Sequence, residues 1–139
     1  MAEFVVLIDH NDGVTSRATT ELLTMARNLG EVHAVFVGLA GTEGKAQEIA
    51  AEFGAAKFSA FITSDHHPVS PSVSALSRVA EENPAAILFT SSAKGKEIAG
   101  RLAVRIGAGV ITDAIDFDAG LVATQSIFGG STVVHSQVV

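Results

Sequence analysis

Three groups of residues in this chain have the types and spacing to do chemistry. In Asp9-His10-Asn11-Asp12, two carboxylates and an imidazole could hold a divalent metal or serve as general acid and base. The same run suits a polar turn stabilised by its Asn and Asp side chains, which is the preferred reading. Asp65-His66-His67 sets two imidazoles beside an acid. Adjacent histidines in a Pro-containing loop point different ways, whereas ligand pairs usually come four apart on a helix or alternate along a strand, so a solvated loop is expected there. The richest segment is Thr90-Ser91-Ser92-Ala93-Lys94-Gly95-Lys96-Glu97. Placed between a strand and a helix, its hydroxyls, glycine and lysines can hold a phosphate through backbone amides and the helix dipole. Ser91, Ser92, Lys94, Gly95 and Lys96 therefore form the candidate nucleotide edge. It is incomplete as a phosphate loop, which would need Gly at 90 and Ser or Thr at 97, where the chain has Thr90 and Glu97. The Glu97 carboxylate in the first helical turn would also repel a phosphate. His33 and His135 fall in apolar strands and are expected to be packed or surface residues. No serine has an evident His and Asp partnership, so no catalytic residue and no metal site is assigned.

The elements that must position these groups follow from hydrophobic periodicity. Glu3 to Ile8 reads as a strand, Asp12-Gly13 as a turn, and Ala18, Leu22, Met25, Ala26 and Leu29 as one face of a helix capped by Thr15 or Ser16 and closed by Gly30. Val32 to Val37 is a second apolar strand. Thr42 is expected to cap a helix with Ala46, Ile49, Ala50 and Phe53 on one face, ended by Gly54. Lys57 to Thr63 is a third strand, Ser70 and Pro71 start a helix through Val73, Leu76, Val79 and Ala80, and Ala85 to Thr90 is a fourth strand. The fourth helix covers Ala93 to Ile106. On it Lys94, Glu97, Arg101 and Arg105 form an outward stripe with a Glu97 to Arg101 pair, opposite Ile98, Leu102 and Ile106. The stripe reads as a solvated face, with contact to an acidic partner surface as the functional alternative. Apolar strands alternating with amphipathic helices require both sheet faces covered, which gives a three-layer α/β domain over residues 1–139 with a mostly parallel, Rossmann-like sheet. Period-two segments at Ile111–Phe117, Leu121–Phe128 and Thr132–Val138, the last two joined by Gly129-Gly130, are expected to extend it as a carboxyl-terminal antiparallel meander. The final strand carries no Lys or Arg to blunt it, so it is expected to be an exposed edge for a partner or a further domain. Because the chain stops within that strand, it is expected to be the front part of a longer polypeptide.

Composition narrows the function. With 139 residues, 47% of them hydrophobic and 17% charged, the chain is long enough for one core and is not a disordered sequence. A formal charge of −6 lacks the basic footprint of a nucleic-acid binder, and the absence of Trp and Tyr removes most base-stacking platforms. With no cysteine there is no disulfide framework, thiolate metal site or cysteine nucleophile. Residues 119–139 lack formal charge but hold three glycines and several polar groups that lipid would not tolerate, so no membrane insertion is expected. No signal or transit peptide is seen, and a bacterial cytoplasmic protein is expected.

Phe4-Val5-Val6-Leu7-Ile8-Asp9-His10, Ser91-Ser92-Ala93-Lys94-Gly95-Lys96 followed by Arg101-Leu102-Ala103, Thr112-Asp113, and Ser126-Ile127-Phe128-Gly129-Gly130-Ser131 occur in an order and spacing that resembles the amino-terminal domain of the electron transfer flavoprotein alpha subunit. The resemblance covers almost the whole chain. It implies an adenine-nucleotide-hydrolase-like α/β fold and a heterodimer with a homologous beta subunit that carries AMP. It places FAD mainly in a separate carboxyl-terminal domain of alpha, so no FAD-binding residue is carried over to this chain. It further implies an electron carrier rather than an enzyme, moving electrons from flavin dehydrogenases, such as the acyl-CoA dehydrogenases of fatty-acid oxidation, to a membrane quinone reductase. This domain would then be scaffold and partner surface, not redox active alone, with the Ser91 to Lys96 edge left empty. A stand-alone adenine-nucleotide-binding domain of the universal-stress type is the alternative, although Gly95, Gly100 and Gly107 do not reproduce that family's phosphate loop. A hydrolase using Asp9, His10 and Asp12 lacks a nucleophile and ranks last.

Overall fold

The structure, a computed structural model, describes residues 3–11, 13–28, 30–64, 69–82, 84, 86–90, 92–106, 109–117, 123–125 and 131–135, the last three stretches as strand backbone. In chain order the elements are β1 (Glu3–Leu7), β2 (His10–Asn11), β3 (Val14–Thr15), α1 (Arg17–Arg27), β4 (Glu31–Gly38), α2 (Glu43–Glu52), β5 (Lys57–Ile62), α3 (Ser70–Ala80), β6 (Ala86–Thr90), α4 (Ala93–Ile106), β7 (Gly109–Phe117), β8 (Ala123–Gln125) and β9 (Ser131–His135).

Alternating side chains of β1 point to opposite faces of the sheet and build two cores. Phe4, Val6 and Ile8 pack with Leu22, Leu23 and Ala26 of α1 and Ala46 and Ala50 of α2. Val5 and Leu7 pack with Val73, Leu76 and Val79 of α3 and Ile98 and Leu102 of α4. The result is the three-layer, mostly parallel sheet expected: β5, β4, β1 and β6 lie side by side, each neighbour parallel to the next. From β1 the chain steps outward to β4 and β5, then returns to place β6 on the other side of β1. The strand order therefore reverses between β1 and β6, and the crevice beyond their carboxyl ends is the favoured ligand position in such a sheet.

Local signals account for some of the helix starts. Ser16 caps α1, its hydroxyl accepting from the Thr19 amide at 3.2 Å. Thr42 stands at the cap position of α2 but does not cap it; its hydroxyl donates to the Leu39 carbonyl at 2.7 Å. Helix α3 includes Ser70 rather than being capped by it, with Val69 at the cap position and Pro71 in the first turn. A short antiparallel ribbon, β2 with β3, was not foreseen; two residues a side are too few to show an alternation. Gly13, at φ +89°, follows β2 in the left-handed region, and a Cβ there would run into the Thr42 carbonyl.

The carboxyl-terminal strands depart from a meander. A meander would put β8 between β7 and β9, whereas the order is β6-β9-β7-β8. Strand β9 pairs antiparallel with β6, from Ile87↔Val134 to Thr90↔Ser131, and also with β7. Alternation specifies that a segment is a strand but not which neighbour it takes, and the open side of β6 takes β9. The expected hairpin across Gly129-Gly130, residues outside those described, would pair β8 with β9; β8 instead pairs with β7. The expectation of an uncovered edge at Thr132–Val138 is likewise corrected: residues 132–135 lie within the sheet, whose outer strands are β5 and β8. Residues 136–138 lie outside the described residues.

Candidate functional site

The crevice at the strand-order reversal is lined by Leu7 of β1 and Ile8, Asp9 and His10 after it, Val37 of β4, Phe89 and Thr90 of β6, Ser72 of α3, and Ser92, Lys94, Gly95 and Ile98 around the start of α4. Its cavity volume is about 10 Å³, room for about one water molecule.

His10 borders the crevice. Its ring stacks on Phe36 with centroids 4.2 Å apart. Its Nε2 lies 2.8 Å from the Val37 carbonyl, to which it donates, while its Nδ1 accepts from the Gly13 amide at 3.0 Å. Both ring nitrogens are therefore engaged by backbone, which makes His10 a tie between β1, β4 and the β2–β3 ribbon. The Asp9 main chain is bound into the start of α1, its amide donating to the Thr19 hydroxyl at 3.0 Å and its carbonyl accepting from the Ser16 amide at 2.9 Å. Of the metal or acid–base grouping weighed for Asp9, His10 and Asp12, His10 has both ring nitrogens taken by backbone; Asp12 lies outside the described residues, as do Asp65, His66 and His67.

The start of α4 is closed on itself. The Ser92 hydroxyl accepts from the Gly95 amide at 3.0 Å, its carbonyl accepts from the Lys96 amide at 2.9 Å, and the Thr90 hydroxyl sits 3.3 Å from that of Ser92. A phosphate at this terminus would compete with Ser92 for the Gly95 amide. Gly95 is buried, and a Cβ on it would strike the Thr90 carbonyl, so this glycine allows α4 to pack closely on the end of β6. Lys94 lines the crevice half-buried and Lys96 is exposed, while Ser91 lies outside the described residues. Farther along α4, Glu97 and Arg101 form the expected ion pair at 3.1 Å, with Ile98 and Leu102 buried opposite.

At the other end of the sheet the structure joins residues that sequence spacing kept apart. Carboxylate oxygens of Glu3 and Glu82 and a ring nitrogen of His33 lie within 4.8 Å of one another. His33 is packed, as one of its two expected placements had it, at 4% exposure. Its Nε2 is 2.7 Å from the Ser59 hydroxyl, and its Nδ1 is buried with no hydrogen-bond partner, 3.9 Å from Glu3 Oε1. Burial lowers the His33 pKa below the usual imidazole value, against an upward pull from Glu3 and Glu82. Lys57 donates to Glu3 Oε2 at 3.1 Å, and that bond raises its pKa. Only strand register, His33↔Lys57 and Glu3↔Glu31, could have pointed to this cluster.

Residues 4–139 match the model of the electron transfer flavoprotein domain. Similar curated proteins include the electron transfer flavoprotein subunit alpha of Mycobacterium tuberculosis, 42% identical over 140 residues, and that of Mycobacterium leprae, 41% identical; each alignment covers 99% of this chain and 44% of the relative. The Bacillus subtilis subunit alpha is 30% identical, with 91% of this chain and 41% of the relative covered. The chain thus spans less than half the length of these relatives. No helix among the described residues is long and apolar enough to cross a membrane.

Proposed function

The chain belongs to the electron transfer flavoprotein family, and on that premise we propose that residues 1–139 form the amino-terminal, non-catalytic scaffold and subunit-pairing domain of an alpha subunit. In this reading the assembly carries electrons from flavin dehydrogenases, such as acyl-CoA dehydrogenases, to a membrane quinone reductase, and works in the bacterial cytoplasm. FAD belongs to the part of the relatives that this chain does not span, and AMP to a homologous beta subunit. The observation that supports the scaffold role is the crevice at the strand-order reversal, where polar groups that could meet a ligand are engaged within the chain. On one side both His10 ring nitrogens are bound to backbone, and on the other the Ser92 cap takes up the Gly95 amide. The Ser91, Ser92, Lys94, Gly95 and Lys96 edge is accordingly proposed as a vestige that packs instead of binding phosphate.

Mixing the chain with the beta subunit from the same genome and measuring mass by light scattering tests the reading; a one-to-one complex is expected. Native mass spectrometry with added AMP, ATP or FAD should show the chain unliganded. Saturable ATP binding at about micromolar affinity, together with failure to pair, would replace this reading with a stand-alone nucleotide-binding domain of the universal-stress type.

A further inference from the structure

We propose that Glu3, His33 and Glu82 form a binding site for a divalent transition-metal cation of the zinc class, at the opposite end of the sheet from the crevice. The three residues come from separate elements: Glu3 opens β1, His33 lies near the start of β4, and Glu82 follows α3 on the way to β6. Their donor atoms nonetheless converge within 4.8 Å.

The observation that points to a ligand is the His33 ring. It is 4% exposed and its Nδ1 has no hydrogen-bond partner, an arrangement that buried nitrogens rarely keep. The ring cannot turn away to satisfy it, because Nε2 is held 2.7 Å from the Ser59 hydroxyl. With Nε2–H donating to Ser59, Nδ1 carries the lone pair and faces Glu3 Oε1 at 3.9 Å. An imidazole whose outer nitrogen is anchored by a hydrogen bond while the other faces carboxylates is how metal-ligating histidines are oriented. Burial lowers the pKa of this ring, favouring the neutral form that binds metal.

The carboxylates are divided in a way that suits a cation. Lys57 takes Glu3 Oε2 at 3.1 Å, leaving Oε1 turned toward His33. Glu82 is exposed and free to close the remaining gap. Ligand bonds of about 2.0–2.2 Å set tetrahedral donors about 3.4 Å apart, so the carboxylates must close in on the ring by up to roughly 1 Å, and one imidazole with two carboxylates and a water fits zinc better than the all-oxygen shells of magnesium or calcium. A bound ion would clip β1, β4 and the α3–β6 connection together.

The test uses the purified chain, stripped with a chelator and titrated calorimetrically with Zn²⁺, with imidazole-nitrogen NMR as a second readout. One Zn²⁺ per chain is expected, shifting the His33 Nδ1 resonance, with Mg²⁺ at least about 100-fold weaker. Glu82→Gln, at an exposed position that leaves the core intact, should weaken zinc about 10- to 100-fold, and Ser59→Ala about 10-fold through loss of ring orientation. The proposal is overturned by the absence of saturable binding below about 1 mM. It is equally overturned if Glu82→Gln binds zinc as tightly as the unaltered chain, which would place the ion elsewhere. Neither result bears on pairing with a beta subunit, so the two readings fail separately.

Discussion

A residue can be recognised by type and still be assigned the wrong partner. Gly95 stands out in the sequence as part of a phosphate-like run, yet its position is explained by a steric need: a Cβ would meet the Thr90 carbonyl. Gly100, five residues later on the same helix, has open space around its missing Cβ. The two glycines should therefore respond oppositely to alanine. Gly95→Ala is expected to lower stability by roughly 1–3 kcal/mol through overpacking. Gly100→Ala should raise it by about 0.5–1 kcal/mol, since alanine is the better helix former and has the less flexible unfolded chain. Urea denaturation of both variants checks this, and equal effects would refute the steric account. His10 teaches the same lesson: its neighbours Asp9 and Asp12 suggest acid–base chemistry, but its two nitrogens are taken by the Val37 carbonyl and the Gly13 amide.

At the scale of elements, helices were the most readable. The span Ala93–Ile106 matches the periodicity end to end, because Ser92 supplies the cap and Ile98 and Leu102 the buried stripe. The cap itself is measurable: Ser92→Ala should reduce stability by about 1 kcal/mol, read as a lower urea midpoint with an unchanged slope. The late strands were readable as strands but not as neighbours. Because β9 is hydrogen-bonded on both sides, by β6 and β7, its amides at residues 132–134 should exchange slowly with solvent deuterons, while those of β8, with only β7 beside it, should exchange quickly. Exchange of β9 as fast as that of β8 would restore the open-edge arrangement.

For the whole molecule, two cores share one sheet, so stability concentrates in the strands that serve both. Leu88 faces the α1–α2 side and Phe89 the α3–α4 side, and both are fully buried. Leu88→Ala is expected to lower stability by about 2–5 kcal/mol through the cavity it leaves. Val104, 86% exposed on α4, should tolerate Ser within about 0.5 kcal/mol. A comparable loss at both sites, measured by chemical denaturation, would mean that α4 presents the opposite face. The cation-rich outer face of that helix, with Arg101 held to Glu97 and Arg105 exposed, remains available to a partner in the proposed heterodimer.

The linear sequence was sufficient for the α/β class, the alternation of four parallel strands with four helices and most of the helix faces, since these rest on periodicity, which is local; on α1, however, Ala18 is exposed and Leu23 is buried in its place. It also carried the family resemblance, which depends on the order of short motifs. Three features needed the tertiary structure: β9 lying between β6 and β7, the crevice bordered by His10 and the capped start of α4, and the meeting of Glu3, His33 and Glu82. Each depends on which distant segments become neighbours. Strand alternation and residue type do not encode that choice; it is settled by competition among all the surfaces to be buried and all the backbone groups to be paired.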